Sequence, residues 1–358
     1  MRFYTFLTSF LLTFGSAMLA VFAHSPQKII TENRFTFDDS TTVWEVLTYF
    51  GKVRLHKADS SIAGATAEKG EDLVKKGWTL NPLGKKTKLI SKFYTCAACH
   101  NSSREMEDLA DNNPENRLTY AVKNNLSFLP ASTFFGLVNR ESFYNGDYQK
   151  KYGSLPDVAA AYYDIRKAIH VCVTQHSEGR PLEKWETEAI MLYLQTLQFK
   201  IGDLNIGKDA NEKILYAIRE NTSLARAVDV IEAHYIKRPP ATFAEAMDFR
   251  TLDSRIETNE KRFENGKLIY ELSCQHCHFK NKYAKSKLDN SPKTFENLNL
   301  KMQQGHAHSI YKISRYGMLA VSGKHAYMPQ YSNEKMSNEQ LIDLRVYVQK
   351  MAEKGFKK

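Results

Sequence analysis

Residues 266–278 read GKLIYELSCQHCH. The last five, Cys274 to His278, set two thiols about one helical turn apart, with an imidazole beside the second. Two thiols so spaced can add to the two vinyl groups of one haem. His278 then lies below the ring and ligates its iron. Covalent attachment holds the group in a small domain whose apolar core would not retain it alone. Residues 96–100 read CAACH and repeat the pattern with Cys96, Cys99 and His100. Two such pentapeptides predict two covalently bound haem c groups, each with its iron. Four thiolates in two pairs would also suit a structural zinc, but a histidine follows both pairs, which favours haem.

Working outward, each motif sits in the same order of elements. Gly70 opens a helical patch before Cys96, and Leu182 to Leu197 forms an amphipathic helix after it. Gly266 and Tyr270 precede Cys274, and Leu341 to Met351 closes the second unit with Leu341, Leu344, Val348 and Met351 at helical spacing. Ser337-Asn-Glu-Gln340 has the form of a capping box. No stretch shows convincing strand alternation, so the fold class is all-α. The chain divides into residues 1–23, a first haem domain at 24–205, a helical connector at 206–254 broken at Arg238-Pro239-Pro240, and a second haem domain at 255–358. Asp157 to Gln175 reads as one long helix carrying Cys172.

Residues 1–23 have one charge, Arg2, then an apolar run ending in the small residues Val21 and Ala23. This has the form of a secretory signal, which predicts export to the periplasm, with a membrane anchor if the segment stays uncleaved. Lys+Arg exceeds Asp+Glu by 50 − 40, or +10, over 358 residues. Residues 24–254 hold 30 of each sign and residues 255–358 hold 19 basic against 10 acidic, so the charge belongs to the second unit. Lys280, Lys282, Lys285 and Lys287 follow the second motif. They predict a docking face for an acidic redox protein. Nucleic acid is disfavoured by compartment and by the lack of a recognition motif. Each haem also brings two propionates, which lower the net charge of the assembled protein.

The second unit is similar to an ordinary cytochrome c domain. There, a glycine and an aromatic residue four positions later let the first and last helices cross closely, as Gly266 and Tyr270 would here. Met328-Pro329 lies 50 residues after His278, where such domains place an axial methionine. The resemblance therefore implies His278 and Met328 as iron ligands, a pair that raises the potential. Met318, His306, His308 and His325 are the alternatives.

The first unit has no Met-Pro after Cys99. Cys172, followed by Gly179-Arg180-Pro181-Leu182, resembles the haem domain of thiosulfate dehydrogenases and SoxA-type sulfur-oxidising cytochromes. By that resemblance Cys172 is the distal ligand of the first haem and a candidate catalytic residue; a buried free thiol is the plain alternative. His170, His176 and Met191 are other candidates. The resemblance departs at Gln175 and His176, where those dehydrogenases usually carry Arg-Ser. A dianionic substrate needs fixed cations beside the iron; Arg140, Arg166 and Arg180 either supply them or merely form surface ion pairs. The aromatic-rich stretch 134–148 is expected to pack over the haem, with a turn at Asn145-Gly146.

These readings predict an electron-transfer protein in which electrons pass from the first haem to the second and on to a partner. The alternative is a sulfur-compound oxidoreductase with catalysis at the first haem. A dihaem peroxidase is a weaker third.

Overall fold

The computed structural model describes residues 35–220, 222, 224–248, 258–280, 282–319 and 327–356. The signal-like segment 1–23, the boundary at 254–255 and His325 lie outside them. Two glycines set the architecture. Gly70 lies in the helix Ala67–Lys76, which Thr66 caps by accepting from the Lys69 backbone N–H. A Cβ on Gly70 would stand 1.9 Å from the Ala189 carbonyl oxygen and 2.9 Å from the Tyr193 Cβ, both on the helix Lys184–Thr196. Gly266 lies in Glu260–Ile269 and makes the same crossing over Asn338–Phe356. There a Cβ would stand 2.0 Å from the Asp343 carbonyl oxygen and 2.8 Å from the Tyr347 Cβ. Only a residue without a side chain lets the helix backbones approach this closely. The close crossing expected of Gly266 is therefore present, and Gly70 repeats it.

The capping box at Ser337 also forms. The Gln340 N–H donates to Ser337 Oγ at 3.1 Å, and the Ser337 N–H donates to Gln340 Oε1 at 3.0 Å. Among the described residues the regular elements are all helical, with only isolated bridges such as Met318–Met328. The protein is all-α. No helix among them is long and apolar enough to cross a membrane.

Phe35–Lys358 forms one compact unit with three main apolar centres. Leu73, Val74, Ala189, Ile190 and Leu194 bury themselves at the first crossing. Tyr270, Phe295, Leu344 and Tyr347 do so at the second. The connector helices Lys208–Glu220 and Leu224–Glu232 bury Ile214, Ala217, Val228 and Ile231 against Val43, Leu47 and Phe199, which come from the first half. The helix Pro114–Lys123 crosses the sequence division. Its Leu118 and Ala121, with Phe128, belong to the second centre.

The long helix expected from Asp157 to Gln175 is broken. Pro156–Ala161 ends, and Ile165–Val171 starts afresh because the Asp164 carboxylate accepts from the Arg166 and Lys167 backbone N–H groups. This is an N-cap inside the apolar pattern. The last turn, Cys172–His176, then widens to π geometry, with the Ser177 N–H donating to the Cys172 carbonyl at 3.0 Å. Such widened turns concentrate at functional sites.

Candidate functional site

The first motif forms a short 3₁₀ turn, Cys96–Ala98, on the wall of a cavity of about 240 Å³. Cys96, Cys99 and His100 line it, and so do Cys172 and His176 from the widened turn. The structure thus brings together five of the first-half residues singled out in the sequence: Cys96, Cys99, His100, Cys172 and His176. His170 and Met191 do not line it, and Met191 is wholly buried in the apolar centre. The aromatic stretch lines the cavity through Phe134, Phe143, Tyr144 and Tyr148. Phe134 stacks on His100 at 4.5 Å and 13°, and Tyr144 and Tyr148 line the side of Cys172.

The two motif histidines share a hydrogen-bond pattern. His100 Nδ1 lies 2.6 Å from the Ser132 carbonyl, and His278 Nδ1 lies 2.9 Å from the Ser286 carbonyl. A carbonyl can only accept, so Nδ1 carries the proton and Nε2 keeps its lone pair for a metal. Burial pushes the His100 imidazole down to about 4, which keeps it neutral and ligand-competent. His276 is different. Its Nε2 meets the Ala98 carbonyl at 3.1 Å and its Nδ1 meets Ser127 Oγ at 2.8 Å.

That contact joins the motifs. Ala98 lies between Cys96 and Cys99, and its carbonyl also meets Cys277 Sγ at 3.9 Å. The two cysteine pairs therefore adjoin. All five cysteines are free thiols, and burial pushes Cys96 and Cys274 up to about 12 and Cys172 up to about 11. Among the described residues, no three His, Cys, Asp or Glu converge to hold a bare metal ion. The donor set fits haem better: at the first motif, a thiol pair and a lone-pair imidazole on one wall and a further thiol on the same cavity.

Met328 exchanges both backbone hydrogen bonds with Met318, each 2.8 Å. Residues paired this way project to the same face. Its neighbours Tyr327 and Pro329 line the first cavity. Neither Met318 nor Met328 lines that cavity. His306 and His308 are exposed and lie against each other, 5.3 Å between ring centres. Lys280, Lys282, Lys285 and Lys287 are exposed beside the partly buried His278.

Two of the three candidate substrate cations are committed elsewhere. Arg166 makes a two-pronged pair with Glu188 at 2.6 and 2.7 Å, and Arg180 does the same with Glu186. Both acids lie on the closing helix of the first half. Arg140 lines the cavity. Sequence reading missed Lys335, Tyr327 and Pro239–Pro240, which line the same cavity from the second half and the connector. Tyr327 stacks on His176 at 4.8 Å and 15°. The Arg-Pro-Pro break was the only local signal.

The family model described as Cytochrome c matches residues 263–352. It covers the second motif, Gly266 and Met328, and supports a c-type cytochrome with haem, iron and electron transport. Neither the curated proteins nor the solved structures compared with the chain give a match.

Proposed function

We propose that the chain is an exported, periplasmic dihaem c-type cytochrome that passes electrons to an acidic redox protein. The observation that carries this is the paired arrangement of His100 and His278. Each follows two thiols, each has Nδ1 held by a backbone carbonyl, and the two thiol pairs adjoin across Ala98. Cys96, Cys99 and His100 would hold one haem; Cys274, Cys277 and His278 would hold the other, with Met328 as its sixth ligand. When bound, haem supplies reversible one-electron transfer, with a thiolate ligand at the first centre favouring the ferric form and Met328 raising the potential of the second. The chain's own part is to fix both imidazole tautomers, to line the first site with aromatic side chains, and to present lysines beside His278.

A second reading, sulfur-compound oxidation at the first centre, draws support from one observation: Cys172 lines the same cavity as Cys96, Cys99 and His100. The ferric spectra of wild type and Cys172→Ala separate the two readings. A thiolate-ligated low-spin signal, lost in the variant, supports Cys172 as ligand. Bis-histidine or His/Met ligation of the first haem in wild type removes the sulfur reading and leaves the electron carrier. Turnover with thiosulfate or tetrathionate then decides whether a Cys172-ligated centre is also catalytic.

A further inference from the structure

One end of the first cavity carries a surplus of positive charge on partly buried side chains. Glu105 lies at its centre and is 6% exposed. Its carboxylate meets the Arg117 guanidinium at 3.2 Å and the Lys335 ammonium at 3.3 Å. Arg117 is 4% exposed and also donates to the Lys335 carbonyl at 2.9 Å, which fixes that segment. Arg140 stands in the field of the same carboxylate. Among the described residues its guanidinium has no hydrogen-bond or ion-pair partner, and with Lys335 it lines the cavity. Three cations share one carboxylate, which leaves two positive charges without counter-charge. A cation removed from water and left unpaired is costly. Burial lowers the Lys335 ammonium to about 8 and the Arg140 guanidinium to about 10, as expected for a pair short of anions.

We propose that Arg140 and Lys335 form the carboxylate-binding end of this site and pair with the two propionates of the haem held by Cys96 and Cys99. The proposal rests on the haem reading of the first motif. Two ionised carboxylates match two uncompensated cations in number. Charge-assisted pairs of this kind are strong where water is excluded. Lys335 comes from the stretch that matches cytochrome c, so a group attached in the first half would be clamped by the second.

A free oxyanion has the same chemistry, but the placement disfavours it. His100 feels both Lys335 and Arg140. Glu105, which Lys335 meets at 3.3 Å, accepts from the side-chain amide of Asn101 at 2.7 Å, next to His100, so Lys335 stands on the His100 side of the cavity.

The test uses holoprotein. Arg140→Leu, Lys335→Met, Arg140→Lys and Lys335→Arg are titrated electrochemically at the first haem's own spectral signature, and haems per chain are counted by intact mass. Removing either cation is expected to move the ferric/ferrous equilibrium of the first haem about tenfold toward ferric. The second haem should not move, and the conservative variants should keep most of the wild-type value. If Lys335→Met does not fold, Arg140→Leu, which has no protein partner to lose, carries the comparison. An unchanged equilibrium in Arg140→Leu with two haems bound overturns the proposal. So does a saturable response of the wild-type first haem to sulfate or thiosulfate that Arg140→Leu abolishes, because the pair then serves a free anion. Free thiols at Cys96 and Cys99 in the wild-type mass overturn the haem reading itself and the proposal with it.

Discussion

In the first half, Gly70 admits the Ala189 carbonyl and the Tyr193 side chain; in the second, Gly266 admits those of Asp343 and Tyr347. Each pair on the closing helix is four residues apart, one turn. The halves diverge immediately afterwards. From Gly266 the chain stays helical through Cys274 to His278. From Gly70 the helix stops at Gly77, and the chain returns 26 positions after the glycine as the Cys96 turn. The intervening loop brings Tyr94, whose hydroxyl donates to the Tyr327 carbonyl at 2.7 Å and ties the first motif to the second half. One site becomes a cavity that Cys172 also lines, with an ion cluster of Glu105, Arg117 and Lys335 beside it. The other stays beside exposed lysines. The crossing is a frame; the segments inserted between its helices decide ligand, access and charge.

The sharpest way to break this contrast is at the methionines. Met328→Leu should shift the second centre toward ferric by more than about a hundredfold in a redox titration and leave the first unchanged. If Met318→Leu does this instead, the ligand is its bridge partner. The next effect falls on the first half alone. Burial raises the Glu105 carboxyl, but Arg117 and Lys335 more than offset this and hold it at about 2. Its folded value lies below the usual 4.5, so its stabilisation is complete above about pH 4.5 and is lost as pH falls toward 2. Glu105→Gln should cost about 3 kcal/mol at neutral pH in denaturant melts and flatten the acid loss in that window. A cost under about 1 kcal/mol would contradict the cluster's role.

Smaller and symmetric effects should follow at the crossing. Gly70→Ala and Gly266→Ala should each lose roughly 1–3 kcal/mol, because the neighbour at each position is a backbone carbonyl. A tolerated substitution at one of them would show that the frame is not shared. The smallest effect lies on the surface. Lys282→Glu with Lys285→Glu should slow electron transfer to an acidic acceptor about tenfold at low salt, and the difference should vanish as salt rises. A rate independent of ionic strength in wild type rules out steering by these lysines.

What could be read from sequence was local. The thiol–imidazole spacing, the Gly266–Tyr270 step and the Ser337–Gln340 box act within a few residues and appear as expected. The break at Asp164 was hidden because the apolar period continues through it, and only the side chain's choice to cap rather than face solvent ends the helix. Lys335 and Tyr327 were invisible as parts of the first cavity because more than 200 positions separate them from Cys96 and Cys99. Leu118 and Ala121 joined the distant second centre for the same reason. Arg166 and Arg180 looked like substrate cations until the closing helix delivered Glu188 and Glu186 to them.

The central claim is that both thiol pairs carry haem. Intact mass of the purified holoprotein tests it most directly, with Cys96→Ser/Cys99→Ser and Cys274→Ser/Cys277→Ser beside wild type. Two covalent haems on wild type and one on each double variant are predicted. A single haem on wild type, lost only when Cys274 and Cys277 are replaced, would contradict it.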